Sequence, residues 1–221
     1  KAGLVPVNIN YRYSLPELSY LLENSDSEAV IFDVEFAEAV AALQARHPLR
    51  ALFSAGGQVA GAQALTDTYA SDGRGLPSGR DPQDIFLLYT GGTTGMPKGV
   101  MWTSQALWET LAAAPSRAGA PMAGLDELMA GVRESKTRVR FNIPPPLMHG
   151  TGLFGALGIL ARGGSVVCSA RRSFDPVATV DEMEVLRCDG LVIVGDAFAR
   201  PILDVLRRAP RRYDLDHVSL V

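Results

Sequence analysis

The chain has 221 residues, 47% of them hydrophobic and 20% charged, with 21 Lys+Arg against 24 Asp+Glu for a net charge of −3. This composition supports a sizeable core and excludes a disordered chain, while the slightly acidic balance lacks the basic footprint of a nucleic-acid binder, so no nucleic-acid partner is expected. No apolar run reaches the roughly 20 residues of a transmembrane segment, and Cys168 and Cys188 are too few for a disulfide framework or a complete zinc site, which points to a reducing, cytoplasmic compartment.

Strand-like and helix-like segments alternate along the chain. Leu4–Ile9 reads as a strand, and Ser14 opens a helix through a capping box with Glu17. Ala29–Asp33 is a short apolar strand followed by a helical pattern to about Arg46, and Arg50–Ser54 is the next strand. Residues 55–84, rich in Gly, Ser, Asp and Pro, read as a long loop or linker. Ile85–Thr90 and Val100–Thr103 are strands on either side of a glycine-rich loop, and a helix follows at 104–114. Residues 115–137 read as a second long loop or a surface insertion, with a short helix at 124–131. Beyond it come strands at Arg138–Ile143, Ser165–Ser169 and Leu191–Gly195, and helices at 150–162, 176–187 and 197–208. Asp175 and Pro176 supply the N-cap and first position of the helix at 176.

The runs VIF, FLLY, VVC and LVIV are apolar without alternation, so both faces of those strands are expected to be covered. With the intervening helices, this predicts an α/β fold with a mainly parallel sheet flanked by helices. Ile85–Tyr89 should be central and the 90–99 loop should lie at its carboxyl edge, where ligands of open α/β sheets collect. Lys1 at the start and the strand-like His217–Val221 at the end suggest a piece of a longer protein.

The densest chemical signal is Tyr89-Thr90-Gly91-Gly92-Thr93-Thr94-Gly95-Met96-Pro97-Lys98-Gly99. Glycines allow close backbone approach and positive φ. The threonine hydroxyls, successive N–H groups and the Lys98 ammonium together suit a polyphosphate. The pattern is not a Walker A loop, because Lys98 is preceded by proline and followed by glycine rather than Ser or Thr. The plain alternative is a glycine-rich hairpin, which has little use for three threonines and a lysine at these offsets.

This segment closely resembles the phosphate-binding signature of the adenylate-forming (AMP-binding) superfamily, with Gly91 standing where the usual form has serine. Lys1-Ala2-Gly3 followed by Val5-Pro6-Val7-Asn8 resembles the family's second core motif, and Pro146-Leu147-Met148-His149-Gly150-Thr151-Gly152 its fourth. VPVNINYRY and VGDAFARPILD are most similar to bacterial acyl-CoA synthetases. The resemblance implies that residues 1–221 are part of the large N-terminal AMP-binding domain, with the C-terminal domain absent. It further implies that a carboxylic, fatty-type acid reacts with ATP, aided by Mg2+, to an acyl-adenylate and that the acyl group passes to coenzyme A. On this resemblance Thr90, Gly91, Gly92, Thr93, Thr94, Gly95 and Lys98 hold the phosphates, Lys98 acting catalytically, while His149 lines the acyl pocket near the reacting carboxylate. No protein metal ligand is assigned. The missing adenine, magnesium and ribose motifs imply that these 221 residues alone are inactive. An acyl-AMP ligase serving a carrier protein and a non-catalytic nucleotide- or partner-binding module are the alternatives.

Other residues read less sharply. His149 could instead cap the following helix, and His47 and His217 read as surface residues. Trp102 and Trp108 suit core packing, and both cysteines read as buried thiols. Arg200, Arg207, Arg208, Arg211 and Arg212 read as a solvated helix face, with a coenzyme A phosphate or a peripheral, anionic membrane contact as the alternative. An open sheet edge would allow a homodimer.

Overall fold

The computed structural model describes residues 3–70, 81–92, 95–112, 124–209 and 212–219. Two units divide the chain, Lys1–Ser104 and Gln105–Val221, and each is described by itself.

In the first unit, α1 (Leu15–Asn24) starts where its sequence says it should. Glu17 accepts from the Ser14 N–H at 2.8 Å and from the Ser14 hydroxyl at 2.7 Å. Strand β1 (Ala29–Asp33) is followed by a single 3-10 turn and α2 (Ala37–Gln44). β1 pairs in parallel with β2 (Ala51–Ala55), which pairs in parallel with β3 (Gln63–Ala64). Val30 and Phe32 of β1 join Leu21 and Leu22 of α1 and Val40 and Leu43 of α2 in one core. The opposite face of β1 is open, with Ile31 62% exposed. The VIF run therefore alternates in burial, contrary to the expectation of two covered faces. Leu4–Ile9 contributes a single parallel bridge, Val7 to Leu87, rather than a full strand.

The largest departure from expectation concerns β4 (Ile85–Gly92) and β5 (Gly95–Thr103), which form an antiparallel hairpin. The ladder continues through most of the segment expected to be an open loop. Only two residues separate the strands, and a parallel return needs a crossover of a dozen or more. Antiparallel pairing is the only topology that so short a connection permits. β4 is nevertheless flanked on both sides: Leu87 N–H donates to Pro6 O at 2.9 Å on the side away from β5. The expected loop at 55–84 contains β3 and a 3-10 stretch at Leu65–Ala70, and residues 71–80 lie outside the described residues.

The second unit opens with a short α3 (Ser104–Leu107, whose first residue closes the first unit) that passes into a π-helical turn at Trp108–Ala112. Of the expected 115–137 loop, residues 115–123 lie outside the described residues and α4 (Leu125–Glu134) occupies most of the rest. β6 (Arg140–Asn142) is the middle strand of a parallel sheet between β7 (Ser165–Val167) and β8 (Gly190–Leu191). Each strand feeds a helix: β6 leads to α5 (Gly150–Ala161), β7 to α6 (Pro176–Val185) and β8 to α7 (Gly195–Arg208). Parallel strands alternating with helices make this an α/β chain, although the parallel pairing is divided between two sheets rather than running through one.

Asp175 caps α6, its carboxylate accepting from Val177 N–H at 3.0 Å and Ala178 N–H at 3.1 Å. α7 runs through Pro201, because Ile202, Val205 and Leu206 belong to the core that also holds Val180, Met183, Cys188 and Leu191. Cys188 is buried as expected, but Cys168 is exposed just beyond the end of β7. His217 is half-buried rather than superficial, with its Nε2 3.4 Å from Met183 O. His217–Ser219 do not form a strand, and residues 220–221 lie outside the described residues. Among the described residues no helix is long and apolar enough to cross a membrane.

Candidate functional site

The hairpin is built from its base outward. Tyr89 is only 4% exposed and belongs to the core of the first unit. Its N–H donates to Asn8 Oδ1 at 2.7 Å and its hydroxyl donates to Asn24 Oδ1 at 2.7 Å. Burial pushes the Tyr89 phenol above its ordinary value, so it remains a donor. Opposite Tyr89 stands Gly99, where a Cβ would lie 2.9 Å from the tyrosine ring. The ring thus crosses the neighbouring strand through a slot that only glycine leaves open.

One step further out, Thr90 pairs with Lys98, and both are exposed. Directly opposed residues in an antiparallel ladder point to the same face, and successive residues alternate. Thr90 and Lys98 therefore project together, on the face opposite to Tyr89. This brings a hydroxyl and an ammonium side by side. Beyond them the register shifts: Gly92 pairs with Gly95, so that three residues of β5 span the distance of two on β4. The irregularity takes in Met96 and the buried Pro97, which has no N–H to give a regular ladder.

At Gly91 an added Cβ meets nothing within 4 Å. Gly95 also has open space, but its φ of +154° is one that other residues rarely adopt. Neither glycine is required by packing against the protein itself. Thr93 and Thr94, assigned to phosphate contact from the sequence, lie outside the described residues.

His149 belongs to the second unit. It occupies the N-cap position of α5, with Leu153 N–H donating to its carbonyl at 2.9 Å. His149 thus caps α5 by position and backbone, while its exposed side chain makes no capping hydrogen bond. The loop before it is held by Pro145, which is fully buried, and by His149 N–H donating to Pro146 O at 3.0 Å. Gly152 completes this arrangement: a Cβ there would lie 2.6 Å from Pro145 O and 2.7 Å from Pro146 O. The Pro-rich loop consequently folds tightly over the first turn of α5 and presents His149 at its edge.

The arginine cluster is largely neutralised within the protein. Arg200 pairs with Asp196, Arg207 with Asp204 and Arg212 with Asp181, while Arg211 lies outside the described residues. The two pairs within α7 and the Arg212–Asp181 pair to α6 favour the solvated helix face over a site for phosphate or an anionic surface. Among the described residues no group of three or more His, Cys, Asp or Glu could hold a metal ion.

The sequence singled out Thr90, Lys98 and His149, and the structure pairs the first two. It did not single out Asn8, Asn24, Gly99 or Gly152 as site-forming. For the two glycines a signal exists in their fixed places at the ends of the two motifs. Asn8 likewise ends the segment resembling the second core motif, whereas Asn24 has no such signal, because its partner Tyr89 is 65 positions away.

Comparison with known proteins places the chain in a family. The model of the AMP-binding enzyme family matches residues 1–221. The chain is 32% identical over 219 residues to the medium-chain acyl-CoA ligase Mig of Mycobacterium avium, covering 94% of this chain and 39% of that protein. It is 33% identical over 232 residues to a 3-oxocholest-4-en-26-oate–CoA ligase of Rhodococcus rhodochrous, covering 97% of this chain and 40% of that one. The chain thus spans about two fifths of the length of these curated relatives. Its fold is similar to that of the amide bond synthetase McbA from Marinactinospora thermotolerans, with a TM-score of 0.74 at 23% identity over 99% of this chain and 40% of that one. It is also similar to the N-terminal domain of FACL13 from Mycobacterium tuberculosis, with a TM-score of 0.69 at 24% identity over 97% of this chain and 48% of that one. The chain belongs to the AMP-binding enzyme family.

Proposed function

We propose that the protein carrying this chain is an ATP-dependent acyl-CoA ligase for medium- to long-chain carboxylic acids. A carboxylate oxygen attacks the α-phosphorus of ATP, the bond to the bridging oxygen breaks, and pyrophosphate leaves. The thiol of coenzyme A then attacks the acyl carbon, AMP leaves, and the thiol proton is released. The exposed Thr90–Lys98 pair carries this reading, because it sets a hydroxyl donor and a positive charge on one face of a glycine-rich hairpin. Such groups act on the charge that pyrophosphate gathers as it departs. The names of the relatives support the acyl-CoA product, and those naming medium-chain and medium/long-chain acids support the size of the acid. ATP enters as its magnesium chelate, the cation being part of the substrate. The 221 residues are the N-terminal-domain portion of that ligase.

His149 is the residue proposed to face the acid, from the edge of the Pro-rich loop. Cys168 and Cys188 are free thiols, which supports a cytoplasmic setting that cell fractionation would check. The decisive experiment is ATP–pyrophosphate exchange by the full-length protein with a series of fatty acids, followed by analysis for AMP and acyl-CoA. Exchange that depends on added acid, with thioester formed only when coenzyme A is present, is the expected result. Absence of acid-dependent exchange would refute the adenylation step, and exchange without thioester would refute the acceptor.

A further inference from the structure

We propose, taking 90–99 to be the phosphate-binding hairpin, that Tyr89 is a positioning residue that fixes the register of that hairpin, with Gly99 as the slot its ring requires. The problem it solves lies in the sequence. Gly91, Gly92, Gly95 and Gly99 deprive the hairpin of the side-chain pairs that ordinarily specify register, and glycine-rich strands are prone to slip. The ladder is already irregular beyond Thr90. A slip of one residue would part Thr90 from Lys98 and turn β5's side chains to the other face.

Tyr89 is held from two directions. Its N–H is bonded to Asn8 in the segment beside β4, and its hydroxyl to Asn24, the last residue of α1. With the ring so fixed, whatever residue of β5 lies opposite must leave room for it. Slipping the strands by one residue in either direction brings Lys98 or Val100 opposite Tyr89, and slipping by two brings Pro97 or Met101. Each of these carries a Cβ, and at the observed position a Cβ would lie 2.9 Å from the ring. Gly99 is the only glycine among residues 97–101, so one register alone admits the tyrosine. That register sets Thr90 against Lys98. The two groups assigned to phosphate thus owe their alignment to a buried residue on the other face.

The test is steady-state ATP–pyrophosphate exchange by the full-length protein, with every variant assayed well below its melting temperature. Gly99→Ala should lower kcat about a hundredfold, as misplacements near 1 Å commonly do. Tyr89→Phe, which keeps the ring and loses the bond to Asn24, should lower kcat about tenfold. Asn24→Asp retains an acceptor and should keep a near-normal kcat, whereas Asn24→Leu should match Tyr89→Phe and add nothing to it in the double variant. Leu22→Ala is the structural control: it weakens the same core and should lower the melting temperature with kcat unchanged. If Tyr89→Phe and Gly99→Ala keep normal kcat, or Leu22→Ala loses kcat as they do, the register role is overturned. Should Gly99→Ala fail to fold, the nearly isosteric Tyr89→Phe and the Asn24 pair still decide the matter. Lys98→Ala separates the two levels: if it alone is slow, only the register role fails, and if it too is normal, the phosphate reading fails as well.

Discussion

Lys98 stands opposite Thr90 with both side chains open to solvent, so neither is committed to holding the fold. Replacing Lys98 should therefore leave stability nearly unchanged and fall on the chemistry. An ammonium placed on the leaving pyrophosphate interacts more strongly in the transition state than in bound ATP, and its loss should lower kcat for exchange about a hundredfold. Lys98→Arg should recover part of that rate. Exchange kinetics on the two variants check this, and an unchanged Lys98→Ala would remove Lys98 from the reaction. Gly152 is the converse case, a residue that acts by what it lacks. In Gly152→Ala the methyl group would overlap two backbone carbonyl oxygens that cannot swing away as a side chain can. The strain expected for such overpacking is about 1–3 kcal/mol, and the melting temperature should drop by several degrees. His149 would shift with the loop, so fatty-acid KM should rise as well. A Gly152→Ala protein with the wild-type melting curve would show that the Pro145–Pro146 backbone is not held as described.

Elements whose causes are local could be read from the sequence. Ser14 with Glu17, and Asp175 with Pro176, mark helix starts because cap and acceptor lie within three residues of each other, and both starts are where they were expected. Asp175→Ala would leave two N–H groups of α6 without their acceptor. The expected cost is about 1 kcal/mol, seen as a lower denaturation midpoint with an unchanged slope; no change would mean that water replaces the cap. Elements that depend on distant partners were less legible. The segment from Thr90 to Gly99 looks like an open loop, since glycine and proline are the ordinary marks of one. In the folded chain it is mostly paired strand, because Tyr89 is anchored by residues 65 and 81 positions away. Likewise, VIF at β1 reads as covered on both faces, and only the packing of α1 and α2 against one face reveals the alternation. The residue types and offsets of the proposed phosphate motif stand in the sequence itself, but the scaffold that pairs Thr90 with Lys98 does not.

Across the whole chain, the titratable groups set limits on stability at both ends of the pH scale. In the first unit the Glu17 carboxyl lies below its ordinary value because the Ser14 hydroxyl and N–H both donate to it. In the second, Asp214 is held low, chiefly by its hydrogen bond from the Arg187 guanidinium. A carboxyl whose folded value is depressed contributes stability above its unfolded value, about pH 4, and that contribution is lost as pH falls through the folded value. Burial has the opposite effect on the phenols of Tyr13 and Tyr89 and on the thiol of Cys188, raising all three. Their contribution is complete below the unfolded values, about pH 8.5 for the thiol and 10 for the phenols, and is lost as pH rises through the folded ones. The melting temperature should therefore be level near neutrality and fall on both sides. Glu17→Gln or Arg187→Ala should make the acid limb shallower without changing the alkaline limb, and Tyr89→Phe should do the reverse. Melting curves from about pH 3 to 11 provide the test. A melting temperature as high at the acid end as at neutrality, or an acid limb unaltered in the Glu17→Gln, Arg187→Ala double variant, would show that these pairs do not hold their units together.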